Sequence, residues 1–165
     1  VKFYVFDDGS QFGSACKGLA TELGFERVQD AGSSDVALAP MLLRRLHEWE
    51  YKAPRFGTLV FHPSALPYRR GLDSIKHAIA AGERVSASTW FWCDVGWDTG
   101  DVCEQEVVVL LPGERPRDAY EKRFVPAGLA ALRRALLGVA AGRPRRVPQD
   151  PALVTYDGKF TRPTA

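Results

Sequence analysis

A histidine at position 62 and an aspartate at position 98 stand on two loop-like segments whose composition suits a catalytic constellation. The first segment, Phe61-His62-Pro63-Ser64-Ala65-Leu66-Pro67-Tyr68-Arg69-Arg70-Gly71, is proline-rich; the second, Gly96-Trp97-Asp98-Thr99-Gly100-Asp101, is glycine-rich. Such a pair can carry acyl transfer. Attack on a carbonyl carbon places negative charge on its oxygen and requires a proton to leave the nucleophile. His62 can donate a hydrogen bond to that oxygen, and Asp98 can orient the imidazole and accept the proton, directly or through a water. Taken singly, a histidine before proline is more often a satisfied loop residue, and Asp-Thr-Gly is commonly a turn.

Taken together, the two strings resemble the His-Pro-Ser-Leu-Leu-Pro and Leu-Asp-Thr-Gly signatures of the formyltransferases that use 10-formyltetrahydrofolate, and their separation fits that family's spacing. Thr89-Trp90-Phe91-Trp92-Cys93-Asp94-Val95-Gly96 and Ala53-Pro54-Arg55 resemble one branch in particular, the hydrolase domain of 10-formyltetrahydrofolate dehydrogenase. The resemblance extends from about Asp35 through Arg123-Phe124, Gly142, Pro148 and Thr155-Tyr156-Asp157-Gly158; the region before Asp35 fits loosely.

What the resemblance implies is specific. His62 and Asp98 become the catalytic pair, and 10-formyltetrahydrofolate the co-substrate. The folate pocket falls to Met41, Leu42 and Leu43 of the segment from Pro40 to Arg45, and to the loop residues Asp94, Val95, Gly96 and Trp97. Val60, Ser64 and Arg70 fall where substrate is oriented. On the residues alone, Met41 and Leu42 read equally well as helix-start core, and Arg70 as a loop ion pair. Val60 departs from the pattern, because most of these enzymes carry an asparagine two residues before the histidine to polarise the formyl carbonyl. Valine offers no donor, and the hydrolase branch resembles this chain in having an aliphatic residue there. The lean is therefore towards water or an unusual acceptor. The acceptor itself stays open among amino sugar, amino acid, nucleotide intermediate, carrier arm and water. A non-catalytic folate-binding or interaction protein derived from this fold is the competing reading.

The elements that must position the pair follow from periodicity. Val1 to Phe6 reads as a strand and Gln11 to Leu23 as a helix ended by Gly24. Val36 to Pro40 is a second short apolar run. Leu42, Leu43, Leu46 and Trp49 fall at helical spacing, which predicts a helix from Met41 to Tyr51. Thr58 to Phe61 reads as a core strand that leaves His62 at its carboxyl end. A helix from Leu72 to Ala81, strands from Val85 to Val95 and Val102 to Leu111, and a closing pair of helices, Pro116 to Phe124 and Pro126 to Ala141, complete the pattern. From about position 142 the tail has no clear periodicity.

Alternating strands and helices predict an α/β, Rossmann-like three-layer fold with a mixed sheet, spanning 1–165 as a single formyltransferase-like domain. Phe25 to Asp35 is too short for a complete strand and helix, so the fold is expected to be trimmed near its N-terminus, with a vestigial strand around Glu26 to Val28. A partner subunit covering the exposed wall would make the chain a homodimer.

Composition narrows the class. Three cysteines without a CxxC pair argue against a disulfide framework and for a reducing, cytoplasmic setting. No apolar run approaches a membrane span. A net charge of +2 does not by itself imply nucleic acid, and the arginines around Arg133-Arg134 and Arg143 to Arg146 read as a solvated face. The resemblance adds the expectation that transfer RNA is not bound, since a counterpart of the extra carboxyl-terminal domain of methionyl-tRNA formyltransferases is not expected. Cys93 reads as a small core residue, and His47 and His77 as surface or helix-end residues without metal-ligand spacing. Gly9 and Phe12-Gly13 lack the full phosphate-binding glycine pattern. Alternation puts Trp90 and Trp92 on one face of their strand and Phe91 on the other.

Overall fold

The computed structural model describes residues 1–6, 9–42 and 44–161. In chain order it contains β1 (Lys2–Val5), α1 (Gln11–Glu22), β2 (Glu26–Arg27), β3 (Val36–Ala39), α2 (Glu48–Tyr51), β4 (Thr58–His62), β5 (Arg70–Gly71), α3 (Ser74–Ala80), β6 (Val85–Trp92), β7 (Val102–Val109), α4 (Pro116–Ala119), α5 (Val125–Ala140) and β8 (Tyr156–Asp157). Six strands form one mixed sheet in the order β2, β1, β3, β4, β6, β7. The pairings from β2 to β4 are parallel and those from β4 to β7 antiparallel. A separate parallel pair joins β5 to β8. The α/β expectation holds, and so does the shortened N-terminal unit: β2 is two residues long at the sheet edge, and a 3-10 turn, Ala31–Ser33, stands between it and β3.

Strand alternation divides the sheet into two differently used faces. Leu59 and Phe61 of β4 and Trp90 and Trp92 of β6 join Phe12 of α1 and Leu132 and Leu136 of α5 in the main apolar core. Trp90 is fully buried, yet its indole N–H donates to the Gly128 carbonyl at 2.8 Å, so no polar group is stranded there. The other face carries Val60, His62, Thr89 and Phe91. Leu66, Phe91 and Val102 form a small apolar cluster on it, with Val60 packed alongside. Irregular chain covers most of this second face, pinned by side-chain bonds to backbone. Thr89 Oγ1 donates to the Ser64 carbonyl at 2.6 Å and Gln105 Nε2 to the Leu66 carbonyl at 2.9 Å.

Three expectations need correction. The helix from Met41 to Tyr51 shrinks to α2, because His47 is extended (φ −71°, ψ 156°) and Arg44 turns back to grip Glu50 at 2.8 and 2.6 Å. Met41 and Trp49, 37% and 74% exposed, point outward, and only Leu46 of that stripe is buried among the described residues. Leu43 lies outside them. The two closing helices are one continuous helical run, in which a π turn, Tyr120–Phe124, links α4 to α5. Pro126 lacks an N–H and crowds the preceding turn, and the widened turn accommodates it without a break. Leu72, expected on the helix stripe, precedes α3 and is 56% exposed, whereas Ile75 packs with Val108, Leu110 and Phe124. Among the described residues no helix is long and apolar enough to cross a membrane.

Candidate active site

His62 is the last residue of β4 and pairs with Thr89 of the neighbouring strand, so its backbone is fixed by the sheet. Its Nε2 lies 2.7 Å from the Arg69 carbonyl oxygen. A carbonyl only accepts, so Nε2 carries a proton and the opposite nitrogen, Nδ1, is left to face the site. Nδ1 is 3.6 Å from Asp98 Oδ2, and both side chains are largely buried. In the neutral ring Nδ1 is an acceptor; in the imidazolium it is a donor. The backbone thus fixes which nitrogen faces Asp98.

Asp98 is held just as firmly. Its Oδ2 accepts from the Gly71 N–H at 2.7 Å, and its backbone is in the left-handed region (φ +55°), which aspartate tolerates better than most residues. Asp94 shapes the loop before it, its Oδ1 accepting from the Gly96 N–H at 3.0 Å and from Thr99 Oγ1 at 2.6 Å. Gly100 passes against β6 so closely that a Cβ there would sit 1.7 Å from the Trp92 carbonyl oxygen. No other residue fits without moving the loop.

The pair opens on a cleft walled by Leu42, Leu46, Val60, Phe91 and Trp97 and bordered by Asp94. Flat apolar walls beside a few fixed polar groups suit a planar heterocycle. Across its rim Arg45 donates to the Val95 carbonyl and lies 5.8 Å from the centre of the Trp97 ring, which ties the segment after Leu42 to the loop before Asp98. Glu50 braces the same rim: the Arg44 guanidinium holds its carboxyl down at about 2, against the cost of burial.

Not every residue expected at the site lines this cleft. Val60, Leu42, Asp94, Gly96 and Trp97 do so with His62 and Asp98. Met41 does not, and Val95, 77% exposed, faces a second cleft behind the loop. Ser64 is buried and its hydroxyl proton is committed to the Tyr68 carbonyl at 2.8 Å. Arg70 is also buried away from the cleft; its guanidinium donates to Gln149 Oε1 at 3.0 and 2.8 Å and to Tyr156 Oη at 3.3 Å, so among the described residues its partners are neutral. Cys93 does line the cleft, but burial pushes its thiol up to about 11, as befits packing and not nucleophilic attack. Two contributors escaped the sequence reading: the Arg69 carbonyl and Gln149 from the tail. Backbone acceptors and lone side chains on irregular loops leave no periodic signal.

Comparison with known proteins places the chain in a family. Residues 20–136 match the formyl transferase family. Human cytosolic 10-formyltetrahydrofolate dehydrogenase is 34% identical over 113 residues, 68% of this chain but 12% of that protein. The HypX structure from Aquifex aeolicus in complex with tetrahydrofolic acid superposes with a TM-score of 0.81 at 19% identity, over 97% of this chain and 30% of that one. The formyltransferase PseJ from Anoxybacillus kamchatkensis gives 0.78 at 17% identity, over 96% of this chain and 86% of that one. The chain thus corresponds to a small part of the dehydrogenase and of HypX, and with a matched region that contains both His62 and Asp98 it belongs to the formyl transferase family.

Proposed function

We propose that this chain removes the formyl group of 10-formyltetrahydrofolate and delivers it to water or a small acceptor, with His62 and Asp98 as the working pair. The observation that carries the reading is the meeting of two distant signature strings: His62 Nδ1 and Asp98 Oδ2 face each other at 3.6 Å on the wall of one cleft. The donor is supported by the dehydrogenase relative, whose name specifies 10-formyltetrahydrofolate, and by the tetrahydrofolate held in the HypX and PseJ structures.

In the reaction the nucleophile's oxygen or nitrogen bonds to the formyl carbon. Its proton passes to Asp98, directly or through a water, and the formyl oxygen becomes an oxyanion. His62, tied through Nε2–H to the Arg69 carbonyl, donates from Nδ1 to that oxygen when the ring is charged. Collapse breaks the bond between carbon and N10 of the folate, N10 takes a proton, and formate leaves when water is the nucleophile. Val60 places a hydrocarbon beside His62 where an amide would add a second donor, which favours hydrolysis over transfer to an amine. Leu42 and Trp97 form apolar walls for the pterin ring. No nucleic acid takes part in this scheme.

The test is direct. Purified protein is incubated with 10-formyltetrahydrofolate, and tetrahydrofolate and formate are followed with and without a panel of amines. Stoichiometric release that disappears in His62→Ala and Asp98→Ala supports the reading; tight folate binding without turnover would instead make the chain a non-catalytic folate binder.

A further inference from the structure

We propose that Gln149, on the irregular tail, is a positioning residue for Asp98. The inference rests on the role given to Asp98 above. The Gln149 amide nitrogen donates to two carbonyl oxygens of the catalytic loop, that of Asp98 at 2.8 Å and that of Gly100 at 2.7 Å. Its oxygen accepts twice from the Arg70 guanidinium, Nε at 3.0 Å and Nη2 at 2.8 Å. The partners fix the orientation of the amide, since carbonyls can only accept and a guanidinium can only donate. A side chain in this place must therefore offer two donors on one side and an acceptor on the other. An amide meets that demand, and a carboxylate or an ammonium cannot.

The bridge joins the two signature strings from behind. Arg70 precedes Gly71, whose N–H holds Asp98 Oδ2 at 2.7 Å. Gln149 therefore closes a ring: Asp98 side chain to Gly71, Arg70 side chain to Gln149, and Gln149 back to the Asp98 carbonyl. Asp98 sits at positive φ, a conformation that persists only where surroundings enforce it, and the two carbonyls gripped by Gln149 flank the turn that follows. The tail has further anchors on the same scaffold. Val147 exchanges backbone bonds with Val102 at 2.8 and 3.0 Å, and β8 pairs with β5, placing Asp157 beside Gly71. Among the described residues these other anchors bond to the flanks of the Asp98 loop, and Gln149 bonds to the loop itself.

Two substitutions separate positioning from bulk stability. Gln149→Glu keeps the size and the acceptor for Arg70 but loses both donations to the loop; Gln149→Leu loses all four bonds. Both are expected to lower kcat for formyl release about 10- to 100-fold, the scale of a misplaced catalytic group, while the dissociation constant for tetrahydrofolate changes less than about threefold. Hydrogen exchange gives a second readout independent of turnover. The Gly71 amide, which reports the bond to Asp98 Oδ2, should exchange about tenfold faster in Gln149→Glu, with core amides such as Leu59 and Trp90 unchanged. A normal kcat together with a protected Gly71 amide in folded Gln149→Glu overturns the proposal. So does uniform acceleration of exchange across the core, which would mean a merely structural role. If the wild-type protein releases no formyl group, the functional reading fails, and Gly71 exchange alone still decides whether Gln149 holds Asp98.

Discussion

His62 and Asp98 make no direct hydrogen bond, Nδ1 and Oδ2 being 3.6 Å apart, yet each is held by a backbone group of one short segment, Arg69 to Gly71. The Arg69 carbonyl holds His62 and the Gly71 N–H holds Asp98, with a single residue, Arg70, between them. With both groups restrained at that distance, one substrate oxygen or water seated beside the pair can hydrogen-bond to both, as the proposed acid and base roles require.

It follows that replacing either partner should cost turnover far more than folate binding. Asp98→Asn removes the proposed base while retaining an acceptor for the Gly71 N–H, and His62→Ala removes the proposed oxyanion donor; each is expected to lower kcat on the order of 10²-fold or more. The double variant should be little worse than the worse single, because the two act as a unit. Single-turnover formate release beside folate titration checks both statements. Additive losses would mean that the residues serve separate steps.

Acid stability should depend on the cleft rim. The Glu50 carboxyl is held at about 2 in the fold, below its ordinary 4.5, chiefly by the Arg44 guanidinium. The folded protein therefore binds this proton less readily than the unfolded chain does. The resulting stabilisation is complete above about pH 4.5 and is lost as pH falls towards 2. Its ceiling is ~3 kcal/mol from the shift, and the exposure of Arg44 brings it lower. Glu50→Gln should melt with a flatter pH dependence between 4.5 and 2 and bind folate more weakly at neutral pH. An unchanged acid melting curve would show that the pair adds nothing.

Gly128 gives a prediction about the core. A Cβ at this position of α5 would lie 2.8 Å from Phe61 Cε2 and 3.1 Å from Phe12 Cζ, rings that already pack edge to face with centres 4.7 Å apart. Neither ring can retreat without disturbing Trp90. Overpacking of this kind costs about 1 to 3 kcal/mol, which outweighs the ~1 kcal/mol that alanine gains over glycine in a helix. Gly128→Ala should therefore unfold at lower denaturant with its m-value unchanged; a stabilised variant would show that α5 simply moves outward.

Much of this arrangement was legible in the sequence, for reasons that can be located. Period-two alternation put Trp90 and Trp92 on one face of their strand and Phe91 on the other, and the two-residue offset at the end of the strand from Thr58 to Phe61 put Val60 beside His62. The stretch after Pro40 misled, because Leu42, Leu46 and Trp49 mimic a helical stripe. Arg44 and Glu50 stand six positions apart, a spacing at which helix side chains do not meet, so their ion pair requires a turn. Gln149 left no signal at all. Its partners on the loop are main-chain oxygens, which every residue possesses, and its isolated place in an aperiodic tail gives periodicity nothing to detect.

Val60 offers the sharpest control over what accepts the formyl group. It shares a face of β4 with His62, two residues along, and lines the cleft beside it. Val60→Asn adds an N–H donor close to the position where the oxyanion forms. If His62 alone stabilises that charge, formyl transfer to amines should rise relative to hydrolysis, with a ceiling of roughly 10²- to 10³-fold for one well-aimed donor. The cost of an unpaired amide against Phe91 and Leu66 works in the other direction and can erase the gain if the geometry is poor. Product ratios with water and with a panel of amines, measured for both proteins after confirming equal folate binding, decide between these. An unchanged ratio in a folded variant would mean that this position does not face the reacting carbonyl, and any preference for water would then have to arise from the shape of the acceptor side of the cleft.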